Sequence, residues 1–355
     1  MEQATILYER MGKVCWVTLN RPHVLNSLSL EMIHSLYDQM KQWANDPDVA
    51  LVILKGAGQK GLCAGGDIRA LYDRGKSGDK SLAREFFSTE YALDRTIHEF
   101  PKPMLVYMDG IVMGGGVGLA TGCSHRVVTE KTKWAMPEAN IGFFPDVGAS
   151  YFLNKMPGAT GRYLSMTSTV ISGSDAIYSG MADYYLPSEQ WEGLTKAIRT
   201  QQWTAETAAA ELDRLLEVHC TPPPAPALAE KQAAIDRHFG HDTVEAIVAS
   251  LQEAADEGDT WANETKGKLL AKAPTSLKVM LEQLRQGIGK SLAECLAMEL
   301  NIALNFMTHD DFYEGVRAVL VDKDNRPAWQ PVSLDAVSKD KVASFFAPVD
   351  ADGSQ

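Results

Sequence analysis

The chain has 355 residues, 45% of them hydrophobic, enough for one large or two ordinary globular units with sizeable cores. Its five cysteines are scattered and form no CxxC pair, which argues against a disulfide scaffold or a zinc site, and a net charge of −12 disfavours nucleic acid as a partner. No apolar run approaches the roughly 20 residues of a membrane helix, and the opening residues carry acids without a long apolar stretch, so composition predicts a soluble, cytoplasmic protein with no membrane partner.

ILYER and KVCWVTLN, residues 6–10 and 13–20, predict a hairpin around Met11-Gly12. Behind Ser29, a suitable N-cap, the apolar residues Leu30, Ile33, Leu36, Met40 and Trp43 recur at helical spacing. ALVILKG (50–56), PMLVYMDG (103–110) and HRVVTE (125–130) read as buried strands, and helices between them indicate βαβ units in a mostly parallel sheet. Strand signals stop after about Ser172. CTPPPAPALAEK (220–231) crowds together Pro222, Pro223, Pro224 and Pro226, which fix φ and supply no donors, so it reads as a linker. Helical spacing resumes over 276–287, 292–307 and 310–321. The expected organisation is an α/β core over residues 1–200, a proline-rich linker region over 201–230 and a helical region over 231–355.

Two loops carry runs of small residues. VMGGGVGL (112–119) joins a strand to a helical pattern, and its triplet Gly114-Gly115-Gly116 is entropically costly unless the absent side chains serve something. A dinucleotide fingerprint fails on register, because the third glycine position falls on Leu119 or Thr121. A tight structural turn and an oxyanion-binding helix start both remain open. LCAGGDIRALY (62–72) repeats the strand, small-residue loop and helix pattern, with Asp67 placed as an N-cap, and two such loops could aim paired amides at one oxygen.

WAMPEANIGFFPDVGASYFL (134–153) places Glu138 and Asp146 in an otherwise apolar or small stretch, each after a proline. Phe143 and Phe144 would strip water from a neighbouring carboxylate and raise its pKa toward that of a general base, while helix capping is the structural alternative for both acids. From Lys55 to Arg84, seven bases (Lys55, Lys60, Arg69, Arg74, Lys76, Lys80, Arg84) face three acids, either a solvated surface or a place for a polyanion. His125 and His309 lie in no metal-ligand spacing, and Cys63 and Cys123 read as small core residues; no metal site is expected.

LCAGGD, MGGGVGL and MPEANIGFFPDVG, in that order and behind CWVTLNRPHVLNSLSLEM, resemble the crotonase (enoyl-CoA hydratase/isomerase) superfamily. PDVG, EFFSTEYALDRTI (85–97) and HDDFYEGVRAVLVDKDNRPAWQP (309–331) resemble its branch that hydrolyses 3-hydroxyisobutyryl-CoA. The resemblance implies an α/β fold, a crotonase-like ββα spiral core with a helical C-terminal portion, acting on a short branched β-hydroxyacyl-CoA in valine breakdown. CoA would enter as part of the substrate, with no separate cofactor. The resemblance further implies an oxyanion hole from the amides of Gly66 and Gly115, catalytic acids at Glu138 and Asp146, a substrate contact at Glu90, and CoA phosphates held by the basic stretch, with Arg69 and Lys60 nearest. Superfamily members assemble as trimers or paired trimers, so a homo-oligomer is implied unless the C-terminal helices cover that surface. The hydratase pattern has a second glutamate two residues after the glycine triplet, where this chain has Gly118, and usually has glycine where this chain has Asp146. That departure favours thioester hydrolysis. The alternatives are a one-acid hydratase or isomerase, and a non-catalytic acyl-CoA-binding or assembly subunit.

Overall fold

The computed structural model describes residues 4–79 and 81–349, so Lys80 lies outside the described residues. The predicted hairpin forms: β1 (Ile6–Met11) pairs antiparallel with β2 (Val14–Leu19). Helix Leu30–Asn45 follows, with Ser29 Oγ accepting the Met32 N–H as its cap. The remaining strands are β3 (Leu51–Gly56), β4 (Gly61–Cys63), β5 (Met104–Met108), β6 (Ile111–Met113), β7 (His125–Val128), β8 (Lys133–Ala135) and β9 (Tyr184–Tyr185). Two sheets result, one of order β1-β2-β3-β5-β7-β9 and one of order β4-β6-β8, parallel throughout except at the hairpin. From β3 onward the chain repeats one step: a strand in the large sheet, a short strand in the small sheet, then a helical segment. Those segments are Ile68–Lys76 after β4, Gly115–Thr121 after β6 and the 3-10 turn Glu138–Ile141 after β8. This is the ββα spiral.

Two compact units draw on separated stretches of chain. The first comprises residues 1–66, 92–135 and 170–229 and holds both sheets; the second comprises residues 67–91, 136–169 and 230–355. In the first, β3 and β5 are buried almost throughout, as parallel strands covered on both faces must be. Alternate residues Trp16, Ile53, Leu105 and Tyr107 pack with Leu194 and Leu212 of helices Trp191–Thr200 and Ala208–His219. The second unit is mainly helical, and within it Pro274–Gly287 packs on the short helix Ala149–Phe152 and on Thr160–Thr167.

Strand signals do not stop at Ser172, because β9 pairs with β7. The proline-rich segment lacks helix or strand over residues 220–226, but Ala227–Phe239 is already helical, so ALAEK belongs to that helix.

The glycine triplet has a local explanation. Gly114 adopts φ +51 and ψ −124, a conformation closed to residues with a Cβ, and a Cβ on Gly116 would lie 2.6 Å from the Cys63 carbonyl oxygen. Gly116→Ala should therefore destabilise the protein by about 1–3 kcal/mol through overpacking, read as a lower denaturant midpoint. An unchanged midpoint would mean that β4 yields freely.

Candidate active site

In the first unit, β4 and β6 run parallel, with Gly61 opposite Ile111 and Cys63 opposite Val112, so the loops leaving their carboxyl ends are neighbours. Gly65 takes φ +109 and its carbonyl accepts the Leu28 N–H at 2.9 Å, while Gly66 bridges to Leu28. A Cβ on Gly65 would stand 3.6 Å from the Gly115 nitrogen. The two small-residue loops therefore meet, and Gly115 opens its helix, where amides have no intrahelical acceptor. Asp67 occupies the cap position of Ile68–Lys76 but makes no capping bond to it.

The second unit gathers the acids. Glu90 and Tyr91 lie on helix Ser81–His98, Glu138 opens the 3-10 turn, and Asp146 sits in the turn before Ala149–Phe152. Glu90, Glu138 and Asp146 are 3%, 8% and 6% exposed, which makes three largely dehydrated carboxyls in one unit. Neither Glu138 nor Asp146 caps a helix with its side chain: the cap residues are Pro137 and Gly148, and Asp146 Oδ2 instead accepts the Tyr91 hydroxyl at 2.6 Å. Phe143 stacks on Phe87 and packs against Phe144, Phe306 and Phe312, forming the apolar surroundings expected from the FFP stretch.

Electrostatics follow from that packing. Burial first, then the charge of Asp146, holds the Glu138 carboxyl well above its ordinary range, and the same two causes raise Glu90. Burial also lifts Asp146 to about 6, against the opposing bond from Tyr91. Glu138 Oε2 and Glu90 Oε1 are buried with no hydrogen-bond partner among the described residues. Orphaned oxygens of this kind are uncommon in structural positions and are available to a substrate.

Periodicity and motif spacing missed three residues here. Tyr91 holds Asp146, and Glu299, fully buried on helix Leu292–Phe306, accepts N–H groups from Gly148 (2.7 Å) and Ser150 (2.8 Å), and Gln283 reaches both Glu299 and the Pro145 carbonyl. Glu299 had a legible signal: it falls on the apolar stripe of Cys295, Ile302 and Phe306, where a lone acid needs partners.

Several bases of the 55–84 stretch have partners of their own. Arg69 pairs with Asp73 at 3.0 Å and Arg74 with Asp79 at 3.4 Å, acids of the same stretch, and Arg84 donates to the Val349 carbonyl. Lys76 lies over the Tyr72 and Tyr313 rings. His125 is packed between Ser124 and Asp213, Cys63 and Cys123 are buried, and among the described residues no group of acids, histidines and cysteines has a metal-holding arrangement.

Paired small-residue loops on a ββα spiral, with buried acids following the third step, define an acyl-CoA enzyme scaffold. Residues 14–346 match the enoyl-CoA hydratase/isomerase family, and the chain belongs to that crotonase family. It is 42% identical to a mitochondrial 3-hydroxyisobutyryl-CoA hydrolase of Danio rerio, over 97% of this chain and 90% of that one, and 43% identical to the Xenopus laevis enzyme of the same name, over 96% and 88%. A solved carnitinyl-CoA dehydratase from Mycobacterium thermoresistibile is 39% identical, covers 98% of both chains and superposes with a TM-score of 0.91. The hydrolase names correct the expectation of a cytoplasmic location, since both proteins are mitochondrial. Scattered cysteines and an apolar-run count distinguish only reducing from oxidising and aqueous from membrane surroundings, and an organelle's interior meets the same conditions.

Proposed function

We propose that this chain hydrolyses 3-hydroxyisobutyryl-CoA to 3-hydroxyisobutyrate and CoA, a step of valine breakdown. The observation that carries this reading is the exchange of acids: Gly118, buried in helix Gly115–Thr121, leaves the second hydratase position without a carboxyl, while Asp146 is a buried acid held by Tyr91. The names of the hydrolase relatives agree with it.

In this mechanism the amides of Gly66 and Gly115 stabilise the oxygen of the attacked thioester, a donor pair in which each member is worth about 10²–10³ in rate. Glu138 takes the proton of the attacking water and returns it to the departing CoA thiolate; alternatively it attacks the carbonyl and water opens the resulting anhydride. Asp146 orients the substrate hydroxyl or the water, and Glu90 fixes the acyl end. CoA is held as part of the substrate and no further cofactor takes part.

A protonated Glu138 can neither accept a proton nor attack, so turnover should rise with pH through its raised pKa. The acid limb of kcat is expected well above the 4–5 of an ordinary carboxyl, in the direction that burial and the Asp146 charge push Glu138. Removing the Asp146 charge lowers Glu138, so Asp146→Asn should move this limb to lower pH while reducing kcat about 10²-fold. A wild-type limb near pH 4.5, measured by thiol release, would remove Glu138 from its role. The second reading, addition or removal of water across a double bond, is favoured by the name of the dehydratase relative. Consumption of crotonyl-CoA without free thiol would establish it.

A further inference from the structure

Glu299 has a place in the second unit that the proposed reaction does not use. It projects from the middle of helix Leu292–Phe306 and is fully buried. One oxygen accepts the Gly148 N–H; the other accepts the Ser150 N–H, the Ser150 hydroxyl and, at 3.3 Å, the Gln283 amide. Three donors converge on one oxygen and one on the other, and all four belong to the protein, so the carboxyl serves the chain around it.

The donors are placed around one residue. Gln283 also donates to the Pro145 carbonyl at 2.7 Å, so the pair grips the chain at 145 on one side of Asp146 and at 148 and 150 on the other. The turn between needs such support, because Val147, a β-branched residue, is held at φ +53 and Gly148 at φ +88. Tyr91 fixes the Asp146 carboxyl itself. Tyr91 and Cys295 are, with Asp146, the titratable groups whose ionisation Glu299 feels or influences.

We infer that Glu299, with Gln283, is a positioning residue that holds the Pro145–Ser150 turn so that Asp146 meets the substrate. A carboxylate suits this place because every group converging on it is a donor; an amide would set its own NH₂ against one of them. The inference rests on the reading of Asp146 as a site acid, and a helix-capping role alone would give Glu299→Gln a stability cost with no selective loss of turnover.

The test compares the full chain with Glu299→Gln, Asp146→Asn and the double variant, measuring thiol release from 3-hydroxyisobutyryl-CoA and thermal melting. Glu299→Gln is expected to lower kcat about 10- to 100-fold with KM little changed, as a shift of about an ångström in a site group does. In the Asp146→Asn background it should cost nothing further, because both changes act through one carboxyl. If Glu299→Gln melts below the assay temperature, Gln283→Leu, which leaves the acid in place, carries the same expectation at smaller size. Wild-type kcat in both turn variants, or losses that multiply with Asp146→Asn, overturns the inference alone. Wild-type kcat in Asp146→Asn overturns the role of Asp146 and the inference with it.

Discussion

Glu138→Gln should reduce thiol release from 3-hydroxyisobutyryl-CoA by about 10³-fold or more while leaving the fold and the binding of CoA intact. The size follows from the role: a general base contributes about 10²–10⁴, and the variant removes base and nucleophile together. The preserved fold follows from burial. Glu138 is 8% exposed and its carboxyl is raised well above the ordinary range, by burial and then by Asp146. A carboxyl whose folded pKa exceeds its unfolded value, near 4.3, contributes most below that value, and the contribution is lost as pH rises through the folded pKa. An amide of the same shape has no such loss. At pH 8 the variant should melt at or above the wild-type temperature, so inactivity cannot be assigned to unfolding. Near-wild-type turnover would move the chemistry to another group, and loss of turnover with a large fall in melting temperature would make Glu138 structural.

Much of the site could be read before any coordinates because its features are local in sequence. The glycine loops show as runs of small residues, and Glu138 and Asp146 stand out as acids in an apolar stretch. The hairpin and the long amphipathic helices were legible for the same reason, since five or more residues suffice to display a period. The small sheet and the last strand of the large one were not, because β4, β6 and β8 have three residues each and β9 two, too few to show alternation. Tyr91 and Gln283 were hidden because their partners lie 55 and 138 residues away, at Asp146 and at Pro145, a juxtaposition made only by tertiary packing. On the helix Ile68–Lys76 an i, i+4 acid pairs with Arg69, a pairing that a plain count of bases over 55–84 does not display.

Gly315→Ala should lower both stability and turnover, against the ordinary sign of such a change. Inside a helix, glycine to alanine usually stabilises by about 0.5–1 kcal/mol. Gly315 lies in helix Asp310–Val316, within the HDDFYEGVRAV stretch, and that helix packs on the turn that carries Glu138. A Cβ at Gly315 would stand 2.3 Å from the Ile141 carbonyl carbon, 2.4 Å from its oxygen and 2.6 Å from its Cα. These are backbone atoms of the Glu138–Ile141 turn, with no flexible end to swing aside. Either the helix or the turn must shift by about an ångström, and Phe312, packed on Phe143, resists movement of the helix. Overpacking of this kind costs about 1–3 kcal/mol, more than the helical gain. If the turn gives way, Glu138 moves with it, and a displacement of that size costs about 10²-fold in kcat. Melting and thiol release measured on the same preparation separate the cases. A lower melting temperature with unchanged kcat means that the helix moved and the turn held; a rise in melting temperature means that the close approach is not needed.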